Sequence, residues 1–200
     1  MKERPILFSA PMVRAILEGR KTQTRRVVKR PRTVTANYVL RPELYDEPGF
    51  TWWNHPDGLR CGFSQACPYG KPGDRLWVRE TWRPALEHLS ECTGPTDIRY
   101  AATVSEAEWA TMRWRPSIHM PRWASRINLE VTGVRVERLQ DISEQDAADE
   151  GVGALVPPAR EGNPDQYRKT FRELWETING ADSWAANPWV WVVEFKRAPQ

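Results

Sequence analysis

Apolar and polar positions follow two rhythms along the chain. Met12, Val13, Ile16 and Leu17 recur at helical spacing, which predicts a short helix over residues 9–19 with one buried stripe. Ser9 is a plausible cap, Pro11 suits a first turn, and Gly19 supplies the left-handed residue that commonly ends a helix. Residues 22–28, rich in β-branched side chains and arginine, predict a strand leaving that helix. A second strand is expected over residues 75–82, behind the turn signal Pro72-Gly73-Asp74. A third covers residues 127–139. Its alternation changes phase around Gly133, which predicts a bulge or sharp bend.

Toward the C-terminus, Asp141-Ile142-Ser143-Glu144 opens a helix that should end near Gly151, with Ser143 and Asp146 as a capping-box variant. Residues 164–179 form another, with Tyr167, Phe171, Leu174, Trp175 and Ile178 on one face. Residues 189–196 are a strong closing strand. Residues 30–72 and 84–122 hold few periodic signals and many breakers, and read as two long insertions. The first allows a short hairpin and the second a short helix over residues 105–112. These elements predict one α+β domain over residues 1–200, an open or closed β-barrel with flanking helices.

Composition narrows the setting. With 40% hydrophobic and 28% charged residues, a packed core is expected and wholesale disorder is not. No apolar run approaches the ~18–20 residues of a membrane span, and Ile6-Leu7-Phe8 is too brief for a signal-peptide core. Cys61, Cys67 and Cys92 cannot all pair with one another, which suits a reduced, cytoplasmic location and no membrane partner. The net charge of +3 is uneven: the first 32 residues carry ten Lys or Arg against two acids, a net +8, leaving −5 for the rest. Such a basic end attracts phosphates, of which RNA is a common cytoplasmic source. Arg20, Arg25, Arg26, Lys29 and Arg30 are its candidate contacts. Eleven tryptophans are shared between core packing and possible base stacking. Of these, the pair Trp52-Trp53 reads better as a plug over the barrel than as an exposed platform.

The chemistry concentrates in Gly19-Arg20-Lys21-Thr22-Gln23-Thr24-Arg25-Arg26, where a helix hands over to a strand. Burial and adjacent cations both disfavour an ammonium ion, so Lys21 is suited to lose its proton and act as a base toward a hydroxyl. Lys21 and Thr24, three positions apart, share a face only if the chain is still turning at Thr22.

Gly19, Lys21 and Arg26 fit the pattern Gly-x-Lys-x-x-x-x-Arg, and here the chain resembles ASCH domains, PUA-like barrels related to RNA-binding modules. Gly19 to Thr24 is more closely similar to the small bacterial N4-acetylcytidine amidohydrolases. That resemblance implies Lys21 as base, Thr24 as nucleophile and, through Leu139-Gln140-Asp141-Ile142-Ser143-Glu144-Gln145-Asp146-Ala147-Ala148-Asp149-Glu150, Glu150 as proton donor. It also implies a PUA-like β-barrel, a modified nucleoside or RNA as partner, and no metal or organic cofactor. Arg26 or nearby backbone amides would hold the oxyanion. The segments Tyr69-Gly70-Lys71-Pro72-Gly73-Asp74 and Trp77-Val78-Arg79-Glu80 look more like ASCH proteins of phages and prophages. Non-catalytic RNA binding, ribonuclease activity and a phage accessory role stay open as alternatives. His55, Cys61, Cys67, His88 and Cys92 lack the tight pairs of a zinc site, and Glu80 is expected in an ordinary buried ion pair.

Overall fold

A computed structural model describes residues 1–32, 38–42, 47–57, 62–85, 92–156 and 162–199. The chain opens with strand β1 (Glu3–Leu7), which the sequence pattern did not suggest. Its apolar run is short and contains Pro5, tolerable because β1 lies at a sheet edge. Helix α1 (Ala10–Leu17) buries Met12, Val13 and Ile16 as expected, although Ser9 caps it without a side-chain hydrogen bond. Gly19 takes the left-handed conformation at φ +76°. The chain then wraps the Ala15 carbonyl, which accepts from the amides of Arg20 and Lys21, and enters β2 (Gln23–Val27).

The first insertion is more ordered than its breakers suggest. β3 (Val39–Leu40), β4 (Phe50–Asn54) and β5 (Phe63–Ala66) form an antiparallel three-stranded sheet. Trp53 is buried in the main core, its indole N–H donating to Gln65 Oε1 at 2.6 Å, so it fills rather than displays. β6 (Arg75–Arg79) follows the Gly73 turn. In the second insertion, β7 (Trp82–Pro84) pairs with β8 (Ile98–Tyr100). The expected helix is α2 (Glu106–Thr111), capped by Ser105. Trp82, Ile98, Tyr100, Met120 and Ala124 give this insertion its own small core. Glu80 forms the anticipated buried pair, accepting from Arg126 Nε and Nη2 at 2.9 Å each.

Strand β9 (Asn128–Arg138) carries the bulge that the phase change predicts. Below it Leu129 and Val131 are buried, and above it Val134 is. The chain continues into α3 (Glu144–Asp149), with the Ser143–Asp146 capping box present. The N-terminus of α4 (Gln166–Asn179) is held by Glu144, whose carboxylate accepts from the amides of Tyr167 and Arg168 at 2.6 and 3.1 Å. The last strand is β10 (Trp189–Arg197), paired with β9 across a register shift between Glu194 and Phe195.

The architecture is mixed α+β around a five-stranded sheet of order β1-β6-β9-β10-β2. β10 is buried on both faces, as a strand between two layers must be. Trp191, Val193 and Phe195 enter the core shared with α1, while Val190 and Val192 pack with Phe171 and Trp175 of α4. No strand pairing among the described residues joins β2 back to β1, so hydrogen bonding does not close the sheet into a barrel. The Arg26 side chain crosses that seam, donating to the Leu7 carbonyl at 2.9 Å. No described helix is long and apolar enough to cross a membrane.

Candidate active site

The free edge of β2 lies where the two cores meet. Phe8 and Met12 approach from one side and Phe171, Trp175 and Ile178 from the other, enclosing a cavity of about 100 Å³. Lys21, Thr24 and Glu150 all line it. Lys21 and Thr24 share it because the chain is still irregular at Thr22: Lys21 makes an isolated bridge to Glu150, and β2 begins only at Gln23.

All three side chains are buried, at 4%, 2% and 4% exposure. Lys21 Nζ donates to Glu150 Oε2 at 2.8 Å, to the Glu150 carbonyl at 2.7 Å and to the Gln23 carbonyl at 2.9 Å. Those bonds use every proton of an ammonium group, and none goes to Thr24. Among the described residues the Thr24 hydroxyl makes no hydrogen bond. Burial pushes the Lys21 amine below its ordinary value. The Glu150 carboxylate works the other way, and the charges of Arg26 and Arg25 add to the lowering.

The approach of Glu150 to Lys21 depends on the residue after it. Gly151 has φ +83°, and a Cβ there would stand 2.8 Å from Lys21 Cβ and 2.9 Å from Ala15 Cβ. A side chain at this position would wedge α3 away from α1. The amide of Thr22 meanwhile donates to the Asp149 carbonyl at 2.9 Å, tying the turn to the end of α3.

Arg25 corrects the sequence reading. Instead of facing nucleic acid, its side chain is fully buried. It donates to Glu137 Oε1 at 3.0 Å and Glu150 Oε1 at 3.2 Å, and lies 3.4 Å from Asp146 Oδ2. Arg135 extends the network to Glu137, Asp146 and Glu194. Burial alone would raise the Asp146 carboxyl, but hydrogen bonds from Gln23 and Ser143 and the charge of Arg25 bring it down to about 2. Arg25 thereby fixes one oxygen of Glu150 while Lys21 holds the other.

The remaining basic candidates separate. Arg20 pairs with Glu18, its Nε 2.8 Å from Oε2. Arg26 is half-buried, stacks its guanidinium 5.4 Å from the Phe8 ring centre and lines the cavity. Lys29 and Arg30 are exposed and lie outside it.

Sequence reasoning missed three parts of the site. Phe8 places its ring 5.4 Å from Lys21 Nζ. Gln23 anchors β2 to α3, its Nε2 donating to the Asp146 carbonyl at 2.7 Å. Trp175, which the helical pattern had placed only on a buried face, lines the cavity, and its indole N–H has no hydrogen-bond partner. A second recess of about 450 Å³ shares Phe8, Met12, Arg26 and Ile178 with the first and leads away from it along β1.

Among the described residues no group of three or more His, Cys, Asp or Glu could hold a metal ion. Burial pushes the Cys67 thiol up to about 11, so it stays protonated near neutrality. Cys61 and His88 lie outside the described residues. Compared with protein-family models, curated proteins and solved structures, the chain has no match.

Proposed function

We propose that this chain is an ASCH-type amidohydrolase, PUA-like in fold, which removes an acyl group from N4-acetylcytidine or a closely similar amide. One observation carries the reading: a buried amine–carboxylate pair at 2.8 Å shares a small cavity with a threonine hydroxyl that makes no hydrogen bond among the described residues. A structural ion pair needs neither that cavity nor that hydroxyl.

The reactive form has a neutral Lys21 and the proton on Glu150, one transfer along an existing hydrogen bond from the ion pair. Lys21 takes the Thr24 proton as the Thr24 oxygen attacks the acyl carbonyl. The C–N bond breaks as Glu150 protonates the departing exocyclic amine, leaving a Thr24 ester and a Lys21 ammonium beside a Glu150 carboxylate. Water then attacks the ester, giving its proton to Glu150. Lys21 returns a proton to the Thr24 oxygen, and the acid is released. Both protonation states of the pair are thus used once per turnover.

The remaining groups have roles that follow from their positions. The oxyanion falls to Arg26 or to backbone amides at the cavity mouth. A volume of about 100 Å³, room for about three waters, suits the acyl group and the edge of a base rather than a whole nucleoside. The sugar then lies in the adjoining recess.

Ribonuclease chemistry is less favoured because Arg25, the cation nearest the pair, is committed to three carboxylates. The test is acetate release from N4-acetylcytidine. Wild type should turn over, and Lys21→Ala should lose about 10³-fold in kcat with its thermal melt still cooperative. Equal turnover in the two proteins refutes the proposal.

A further inference from the structure

Past the end of β2 a second kind of pocket opens, far from the acyl-transfer cavity. Arg30, Arg41, Arg138, Trp53, Trp189 and Leu40 line an open recess of about 450 Å³ with no carboxylate among its described lining residues. The Arg30 guanidinium lies 5.4 Å from the Trp53 ring centre, and that of Arg138 lies 4.2 Å from the Trp189 ring centre. Each arginine also makes one backbone hydrogen bond: Arg30 to the Tyr38 carbonyl at 3.2 Å and Arg138 to the Asn187 carbonyl at 3.0 Å.

Neither Arg30 nor Arg138 is paired with a carboxylate among the described residues, whereas Arg4, Arg25, Arg122, Arg126 and Arg135 all are. A guanidinium has five N–H donors, so most of theirs are unspent. Lys29, the residue before Arg30, is also exposed.

The shape of the recess selects its occupant. A small round anion would answer the charge but leave most of the volume and the flat, indole-backed guanidinium planes unused. A nucleotide unit uses both, its phosphate accepting from the arginine forks and its base stacking on a guanidinium plane. The recess is too open to enclose a free nucleotide.

We propose that this recess docks single-stranded nucleic acid through phosphate contacts to Arg30 and Arg138, with a base stacked against one of their planes. The site goes beyond the amidohydrolase reading and does not depend on it, because binding is measured without any turnover.

The test is fluorescence anisotropy with short labelled oligocytidine RNA and with DNA of the same sequence. Wild type should bind at low salt and weaken steeply as salt rises. The Arg30→Gln, Arg138→Gln double variant should bind at least tenfold more weakly, with a log–log salt slope smaller by about two. Glutamine keeps a donor for each backbone carbonyl. If the double variant melts early, Arg138→Gln alone should still weaken binding in the same direction. Binding of either oligomer supports the proposal, and the tighter one identifies the natural strand. No affinity at low salt overturns it, as does wild-type affinity in the variants. Competition by cytidine monophosphate as strong as that of the oligomer also overturns it.

Discussion

Arg25 and Arg30 stand five positions apart in the sequence, one inside β2 and one just beyond it, and they meet opposite surroundings. Around Arg25, β9 and α3 deliver Glu137, Asp146 and Glu150, and the guanidinium disappears into an ion network. Around Arg30 the neighbours are Trp53, Arg41 and Arg138, and no carboxylate among the described residues pairs with its guanidinium. A run of basic residues therefore has no single meaning. Where carboxylates converge, the cation is neutralised inside the fold; where indoles and further arginines converge, it keeps the open donors on which the proposed nucleic-acid contact rests.

The largest effect that separates the two regions is on stability. Glu150→Ala strips the partner from Lys21 and one partner from Arg25, leaving buried charge uncompensated. It should cost about 3–5 kcal/mol in denaturant melts. Arg30→Ala removes only an exposed stack and one hydrogen bond and should cost less than about 1 kcal/mol. Equal losses would erase the distinction.

Next in size is Gly151→Ala, strained both by φ +83° and by the close approach to Lys21 and Ala15. A loss of about 2–3 kcal/mol is expected, with Lys21 displaced from Glu150.

Of these two regions, acid should act on the buried network, since the described lining of the Arg30 recess holds no carboxylate. The Asp146 carboxyl, held at about 2 against an ordinary 3.8, contributes stability that is complete above the ordinary value. That contribution, at most about 2 kcal/mol, is lost as pH falls through about 2. Stability measured from pH 5 downward should decline over that window in wild type, and less in Asp146→Asn.

The smallest effect is Trp175→Phe, which keeps a ring against the cavity and removes an indole N–H already closed off from it. It should change kcat/KM for N4-acetylcytidine by less than about 3-fold without shifting the pH profile. That profile should fall on its alkaline side, where the proton shared by Lys21 and Glu150 is lost. Its alkaline limb should fall below the ordinary lysine value of 10.5, because burial lowers Lys21.

Much of the frame was legible in the sequence because it rests on local rules. The phase change at Gly133 marked the β9 bulge, Ser143 with Asp146 marked the start of α3, and Gly19 marked the turn that lets Lys21 and Thr24 share a cavity. β1 was not legible, since its pairing with β6 is parallel and distant and its apolar signal is interrupted by Pro5. The sheet of β3, β4 and β5 was hidden among prolines. The fate of Arg25 was hidden more deeply, because its partners lie more than a hundred residues downstream. No local pattern distinguishes an arginine that will meet them from one that will not. Trp175 was recognised as part of a packed helix face, but that it lines the cavity depends on elements distant in the chain.

The central claim is that the Thr24 hydroxyl, beside the Lys21–Glu150 pair and without a hydrogen bond among the described residues, attacks the acyl carbon. Acetate release from N4-acetylcytidine by Thr24→Ala and Thr24→Ser, with melts matching wild type, tests it most directly. The alanine variant should fall to background while serine retains measurable turnover. An alanine variant that releases acetate at the wild-type rate would contradict it.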